Sequence, residues 1–208
     1  MKLVCISDVH GYWDALTIPE GDVLIVAGDF SSYGRMNELH EFNQWLWKQP
    51  CTHKIVVAGN HDKNAHQLGK KECKAAFTEA IYLEDEEVII DGIKFYGSPW
   101  TPIFFDWYFM LPRGPEIRAK WDLIPNDTDV LITHGPPAGK CDWSNYGNEN
   151  VGCDELRIAT ERVKPTYHIF GHVHGGYGSA FNEHTAYINA ASCNERYAPV
   201  NDPVVLEI

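Results

Sequence analysis

No stretch of this 208-residue chain approaches the ~20 consecutive apolar residues that a bilayer-spanning helix needs. A secretory leader is not evident either. Met1-Lys2 runs into the short apolar segment Leu3–Ile6, Ser7-Asp8 breaks it, and no small-residue cleavage site follows. The expected location is therefore cytoplasmic, with no membrane partner. No C-x-x-C pair occurs. The six cysteines (Cys5, Cys51, Cys73, Cys141, Cys153 and Cys193) are scattered, and without a leader they are expected as reduced, semi-buried apolar side chains. No run of lysine or arginine offers a basic stripe, and the formal net charge is −12, which argues against a long nucleic acid as partner. Repeats, low-complexity tracts and linkers are also absent, so a single domain over residues 1–208 is expected.

What is present is an alternation of strand and helix signals. Short apolar runs at Leu3–Ile6, Val23–Ala27, Ile55–Ala58, Val130–Ile132 and Tyr167–Phe170 read as strands. Met36–Lys48 carries Leu39, Phe42, Trp45 and Leu46 at helical spacing, and Gly69–Ala80 reads as a second helix. Glu87–Ile90 and Ile93–Gly97 flank Asp91-Gly92, a hairpin signature. Pro115 opens a helix to Leu123, and Asp154–Val163 forms another, stopped by Pro165. Short strands follow at Tyr177–Phe181, Thr185–Asn189 and Val204–Ile208. The order predicts an α/β fold, a mixed-sheet sandwich with helices outside. Ser98–Gly114 is rich in aromatics without a clean period and reads as a long structured loop.

Residues that bind hard divalent cations follow five of these strands. Asp8 and His10, two apart on an extended segment, can reach one ion. Gly28-Asp29 places a carboxylate at a tight turn, where its two oxygens can bridge two cations. Gly59-Asn60-His61-Asp62 offers a neutral amide ligand with a histidine beside it, His134 ends another strand, and His172 and His174 lie two apart between glycines. Singly, each motif has a plainer reading as a cap, a turn residue or a surface histidine. Together they point to one rim of a sheet, where open α/β folds hold their ligands, and to a two-metal hydrolase. His40, His53, His66, His168 and His184 fall outside the pattern and read as surface or hydrogen-bonded structural residues. Bound cations would locally reverse the acidic field, so a small phosphate ester could be captured without arginines.

The ordered set Asp8-x-His10, Gly28-Asp29, Gly59-Asn60-His61, His134 and Gly171-His172-x-His174 resembles the calcineurin-like metallophosphoesterases. Gly97-Ser98-Pro99-Trp100, Leu111-Pro112-Arg113-Gly114, Thr133-His134-Gly135-Pro136-Pro137 and Gly175-Gly176-Tyr177-Gly178 look like its metallophosphoesterase-domain branch, whose members are phosphodiesterases. The resemblance implies a four-layer sandwich of two mixed β-sheets flanked by helices. It also implies two divalent metals, with Mn the expected ion in vitro and Fe, Zn or Co as alternatives. Asp8, His10 and His174 would hold one ion and Asn60, His134 and His172 the other. Asp29 would bridge them, and His61 would assist the leaving group. The implied reaction is in-line attack by a metal-bridging hydroxide on a small phosphodiester, with cyclic nucleotides among the candidates, and a homodimer is compatible with it. Phosphomonoesterase or protein-phosphatase activity, and a non-catalytic interaction module, are the alternatives. One departure stands out: the phosphoprotein phosphatases extend the Gly-Asp motif with an aspartate and an arginine, whereas Phe30-Ser31-Ser32-Tyr33-Gly34 follows here. That leaves open what orients His61, removes a clamp for a doubly charged monoester, and favours diesters over phosphoproteins. Trp100, Phe104, Trp107, Trp143 and Tyr146 are expected in loops that overhang the metals and stack on a base, with aromatic core or dimer contact as the alternative.

Overall fold

The computed structural model describes residues 1–208 and contains two main sheets. In the first, Lys2–Ile6, Gly21–Ala27, Cys51–Val57 and Ile81–Tyr82 run parallel, and Val204–Glu207 adds antiparallel to the edge beside Lys2–Ile6. In the second, Ala186–Asn189, Tyr167–Phe170, Val130–Thr133 and Ile93–Ser98 form a parallel centre. Gly178–Phe181 and Glu86–Ile90 pair antiparallel at its two edges. Both sheets are therefore mixed.

The alternation of side chains along a strand explains the layering. Leu3, Cys5, Val23, Ile25, Ala27, Ile55 and Val57 face one way and form a single cluster with Phe95, Val130, Ile132, Ile169 and Ile188 of the other sheet. The alternate positions Val4, Ile6, Leu24, Val26 and Val56 pack against Leu39, Phe42, Trp45 and Leu46 of the helix Met36–Trp47. On the opposite outer face, Tyr96 and Leu131 meet Ile117 and Trp121 of the helix Pro115–Trp121, with Leu156, Ala159 and Val163 of the helix Asp154–Val163. Strands buried on both faces need continuous apolar runs, which is why Lys2–Ile6, Gly21–Ala27, Cys51–Val57, Val130–Thr133 and Tyr167–Phe170 were legible as strands, whereas the two-residue Ile81–Tyr82 was not.

One expected helix is shortened and another was not anticipated. The helix expected over Gly69–Ala80 runs only over Lys70–Ala76, and a separate helix, Lys63–Leu68, precedes it across Gly69, whose φ of +78° is left-handed. Lys70–Ala76 ends early because Phe77 leaves helical geometry and buries its ring between Phe30, Phe42 and Tyr82. Asp91 and Gly92 both take positive φ, as the two-residue hairpin requires. All six cysteines are free, and five are buried. His168 is fully buried, and its Nε2 lies 2.8 Å from Thr133 Oγ1. No helix is long and apolar enough to cross a membrane.

The aromatic segment after Ile93–Ser98 folds back on itself, with Thr101–Pro102 pairing parallel to Met110–Leu111. It is moored by Asp85, whose carboxylate accepts from Ser98 Oγ at 2.7 Å, Trp100 Nε1 at 3.0 Å and Lys120 Nζ at 2.7 Å. Lys120 also lies 4.3 Å from the centroid of the Trp100 ring. Asp85→Ala would strand the Trp100 and Ser98 donors, while the Lys120 pair, partly exposed, adds little. We expect a loss of about 2–3 kcal/mol in urea unfolding, with altered near-ultraviolet circular dichroism. A loss under about 0.5 kcal/mol would show the mooring to be idle.

Candidate metal centre

Every residue singled out as a ligand sits just beyond the C-terminal end of a parallel strand. Asp8, His10, Asp29, Asn60 and His61 follow strands of the first sheet, and His134, His172 and His174 follow strands of the second. The loops are laced to one another through the backbone: Asp8 N–H donates to Gly28 O at 3.0 Å, His10 N–H to Asp29 O at 2.9 Å and Gly171 N–H to His134 O at 2.9 Å. Four of the eight residues, Asp8, His10, Asp29 and His172, have left-handed φ between +47° and +66°. Such backbone costs of order 1–3 kcal/mol where the surroundings enforce it. Glycines make the crowding possible. A Cβ on Gly28 would run into the His134 ring, and one on Gly171 would overlap Asp8 and Ser7.

The side chains converge. His134 Nε2 lies 3.3 Å from Asp29 Oδ2 and 2.9 Å from Asn60 Oδ1, and His174 Nε2 lies 3.4 Å from Asp8 Oδ1. His10 Nε2 stands 3.1 Å from His174 Nε2 and 3.9 Å from Asp29 Oδ2. The ligand atoms of Asp8, His10 and His174, of His10, Asp29 and His61, and of Asp8, Asp29 and His134 form three overlapping groups, each within 4.8 Å. His172 is not in any of these groups. Its ring centroid is 4.9 Å from that of His134, and its backbone N–H donates to Asp8 Oδ2 at 2.8 Å.

Backbone carbonyls, which only accept, fix several imidazole tautomers. His134 Nδ1–H donates to Ala27 O at 3.0 Å and His174 Nδ1–H to Asn194 O at 2.9 Å, leaving Nε2 of each ring facing the cluster. His61 Nδ1–H donates likewise to Ser32 O at 3.2 Å. This carbonyl is the orienting group that the sequence left unidentified.

Burial and charge are balanced tightly here. Burial opposes ionisation of Asp8, but the His174 imidazole outweighs it and holds the carboxyl at about 2. Asp29 is also buried, yet His134 and His61 keep it well below the usual carboxylate range. Burial works against a charged His134, but Asp29 raises it to about 9, whereas burial alone dominates at His10 and His172, lowered to about 4 and about 3. Burial and then Asp29 push Asp62 up to about 8, although Ser31 and Gly59 N–H groups donate to it at 2.9 and 2.8 Å. The donor set fits divalent cations. Asp8 Oδ1 is buried without a hydrogen-bond partner, two imidazole Nε2 atoms approach each other, and oxygen and imidazole ligands suit first-row metals.

A cavity of about 940 Å³ opens over this cluster, lined by Asp29, Asn60, His61, His172 and His174 on its floor and by Phe104, Phe105, Tyr146 and Tyr197 among its walls. Of the aromatics expected to overhang the metals, Phe104 and Tyr146 line the cavity. Trp107 lies 4.2 Å from His61 between ring centroids. Trp143 is exposed beside the cavity, its Nε1–H donating to Asn145 Oδ1 at 3.1 Å. Trp100 does not line it, because its indole is tied down by Asp85. Sequence reasoning missed Tyr197, whose ring is 4.8 Å from His10 and 5.1 Å from His174 and whose φ is +57°. Nothing in the stretch Asn194–Tyr197 signals that role, because it depends on a turn closed by Tyr197 N–H donating to Asn194 O at 2.8 Å.

Comparison with known proteins agrees with this geometry. The family described as calcineurin-like phosphoesterase matches residues 1–176. Metallophosphoesterase domain-containing protein 1 of Homo sapiens is 42% identical over 230 residues, covering all of this chain and 71% of that protein, and the Mus musculus protein matches equally. A Caenorhabditis elegans protein is 41% identical over 221 residues, covering all of this chain and 75% of its own length. Among solved structures, the protein TT1561 of Thermus thermophilus superposes with a TM-score of 0.62 at 14% identity, over 90% of this chain and 88% of that one, which shows a shared fold alone. The chain, with its histidine and aspartate clusters at one sheet rim, belongs to the calcineurin-like metallophosphoesterase family.

Proposed function

We propose that the protein is a phosphodiesterase that works with two divalent cations on small diesters, with cyclic nucleotides among its candidate substrates. The observation that carries this reading is the convergence of buried, oriented donor atoms, one carboxylate oxygen among them without a hydrogen-bond partner, at the floor of a cavity large enough for a nucleotide-sized ligand. Asp8, His10 and His174 would hold one ion, Asn60, His134 and His172 the other, and Asp29 would serve both. Bound there, such ions acidify a water and offset the charge that develops on the phosphoryl oxygens.

The protein's own groups do the rest. His61 directs Nδ1–H at the Ser32 carbonyl, which leaves Nε2 as its reactive nitrogen; as the imidazolium it can give the Nε2 proton to the departing alkoxide and return to the neutral Nδ1–H form. Asn60 keeps its amide oxygen 2.9 Å from His134 Nε2 and adds no negative charge. The preference for a diester rests on the cavity lining. Its single lysine or arginine, Arg113, already donates to Gly152 O and Val151 O, both at 2.8 Å, while Glu149 and Glu195 are acidic neighbours. No free cation awaits the second charge of a monoester. The ring faces of Phe104, Phe105 and Tyr146 support a planar leaving group or base.

After reconstitution with manganese, kcat/KM for bis(p-nitrophenyl) phosphate is expected to exceed that for p-nitrophenyl phosphate. The reverse order would make the protein a monoesterase. His61→Ala should lower kcat about 10²–10⁴-fold with metal content unchanged by elemental analysis. If metal is lost in proportion, His61 is a ligand instead. Asp29→Ala should lose bound metal from both sites while the far-ultraviolet spectrum stays native, and full retention of metal would remove Asp29 from the shared position.

A further inference from the structure

No side chain in the segment between Asp29 and the helix Met36–Trp47 hydrogen-bonds His61, yet a carbonyl within it does. What fixes that carbonyl is found in the first turn of the helix. Glu38 is buried, with 9% of its surface exposed, and its carboxylate gathers three N–H groups of the loop. Oε1 accepts from Ser32 at 2.8 Å and Tyr33 at 3.2 Å, and Oε2 accepts from Arg35 at 2.8 Å. An ordinary capping box needs only the last of these bonds. The two additional ones reach back past the helix start to the very residue whose carbonyl faces His61. The Ser32 hydroxyl donates to His10 O, which ties the same residue to the loop carrying the first pair of ligands.

No other hydrogen bond holds the His61 ring. Asp29 Oδ1 accepts the His61 backbone N–H at 2.7 Å, which places the main chain but leaves the imidazole free to turn. Trp107 offers a face and not a hydrogen bond. The rotation and tautomer of the ring therefore depend on the Ser32 carbonyl, and the Ser32 peptide depends on Glu38.

We propose that Glu38 is a positioning residue for His61: its carboxylate clamps the backbone N–H groups of Ser32, Tyr33 and Arg35 so that the Ser32 carbonyl holds the imidazole as the Nδ1–H tautomer, with Nε2 presented to the cavity. The catalytic consequence rests on the proton-donating part assigned to His61 above; the structural part does not. Glu38 touches neither the clustered ligands nor the cavity. The clamp is charge-assisted, and Glu38→Gln keeps one acceptor oxygen while setting an amide N–H against a backbone N–H.

Two measurements test this on the full chain. In ¹⁵N-histidine-labelled protein, with the His61 signals assigned by their loss in His61→Ala, wild type is expected to show the Nδ1–H pattern. Glu38→Gln should show a mixture of tautomers, and Glu38→Ala a larger one. A His61 signal unchanged in a folded Glu38→Gln protein would overturn the proposal, whether or not the alanine variant folds and whether or not any diester is hydrolysed. In the second measurement, kcat is compared for p-nitrophenyl methyl phosphate, whose leaving group needs no proton, and phenyl methyl phosphate, whose leaving group benefits from one. Misplacing an acid of this kind costs about 10²-fold. Glu38→Ala should therefore lose roughly that factor on the phenyl ester and under about 3-fold on the nitrophenyl ester, with KM and metal content held, and Glu38→Gln should fall between. Equal losses on both esters would mean that Glu38 only supports the fold. Wild type inactive on either ester would refute the diesterase reading while the tautomer result still decides the clamp.

Discussion

Asp8 and Asp29 bring two carboxylates into the interior, their ligand atoms within 4.8 Å of each other and of His134, with Asp8 wholly buried and Asp29 nearly so at the cavity floor. An ionised carboxylate moved from water into such surroundings costs several kcal/mol unless it is paired and hydrogen-bonded. The sandwich meets that cost with backbone N–H groups of His61 and His172, and with imidazoles of His134 and His174. The compensation is incomplete, since the Asp8 oxygen beside His174 has no hydrogen-bond partner. A dication bound here would supply the missing charge, and the crowding of glycines and left-handed residues at the strand ends brings the ligands to one point.

That requirement explains why some of the molecule was readable from its residues and some was not. The strands were legible because burial on both faces demands continuous apolar runs, and the ligands were legible because each follows such a run at once. Met36–Trp47 declared itself through Leu39, Phe42 and Leu46. The helix expected over Gly69–Ala80 stops at Ala76, because apolar spacing at Cys73, Ala76 and Phe77 says nothing about a phenylalanine drawn out of the helix into the core. Trp100 misled in the opposite way, since its place in an aromatic loop gave no hint that Asp85 would claim its indole.

The orienting group of His61 was unreadable for a deeper reason. Side-chain chemistry is written in the sequence, whereas a main-chain carbonyl exists at every residue, and only the fold decides which one faces the ring. Glu38 has the same character. Three residues after Arg35 it looks like a common helix-capping glutamate, and its further bonds to Ser32 and Tyr33 arise only because the loop curls back over the helix start. Tyr197 belongs with them, brought against His10 and His174 by a turn that its neighbours close.

The division of ligands between the two sheets carries a mechanical consequence. Asp8, Asp29 and Asn60 hang from one sheet and His134, His172 and His174 from the other, while the layer between them is held by non-directional apolar contact. Such contact resists separation of the layers far better than it resists sliding. Ions gripped from both sides would act as a clasp at one end of the sandwich, pinning the sheets in register. Because only the closed arrangement gathers all the donors, cation binding and the alignment of the two halves are thermodynamically linked.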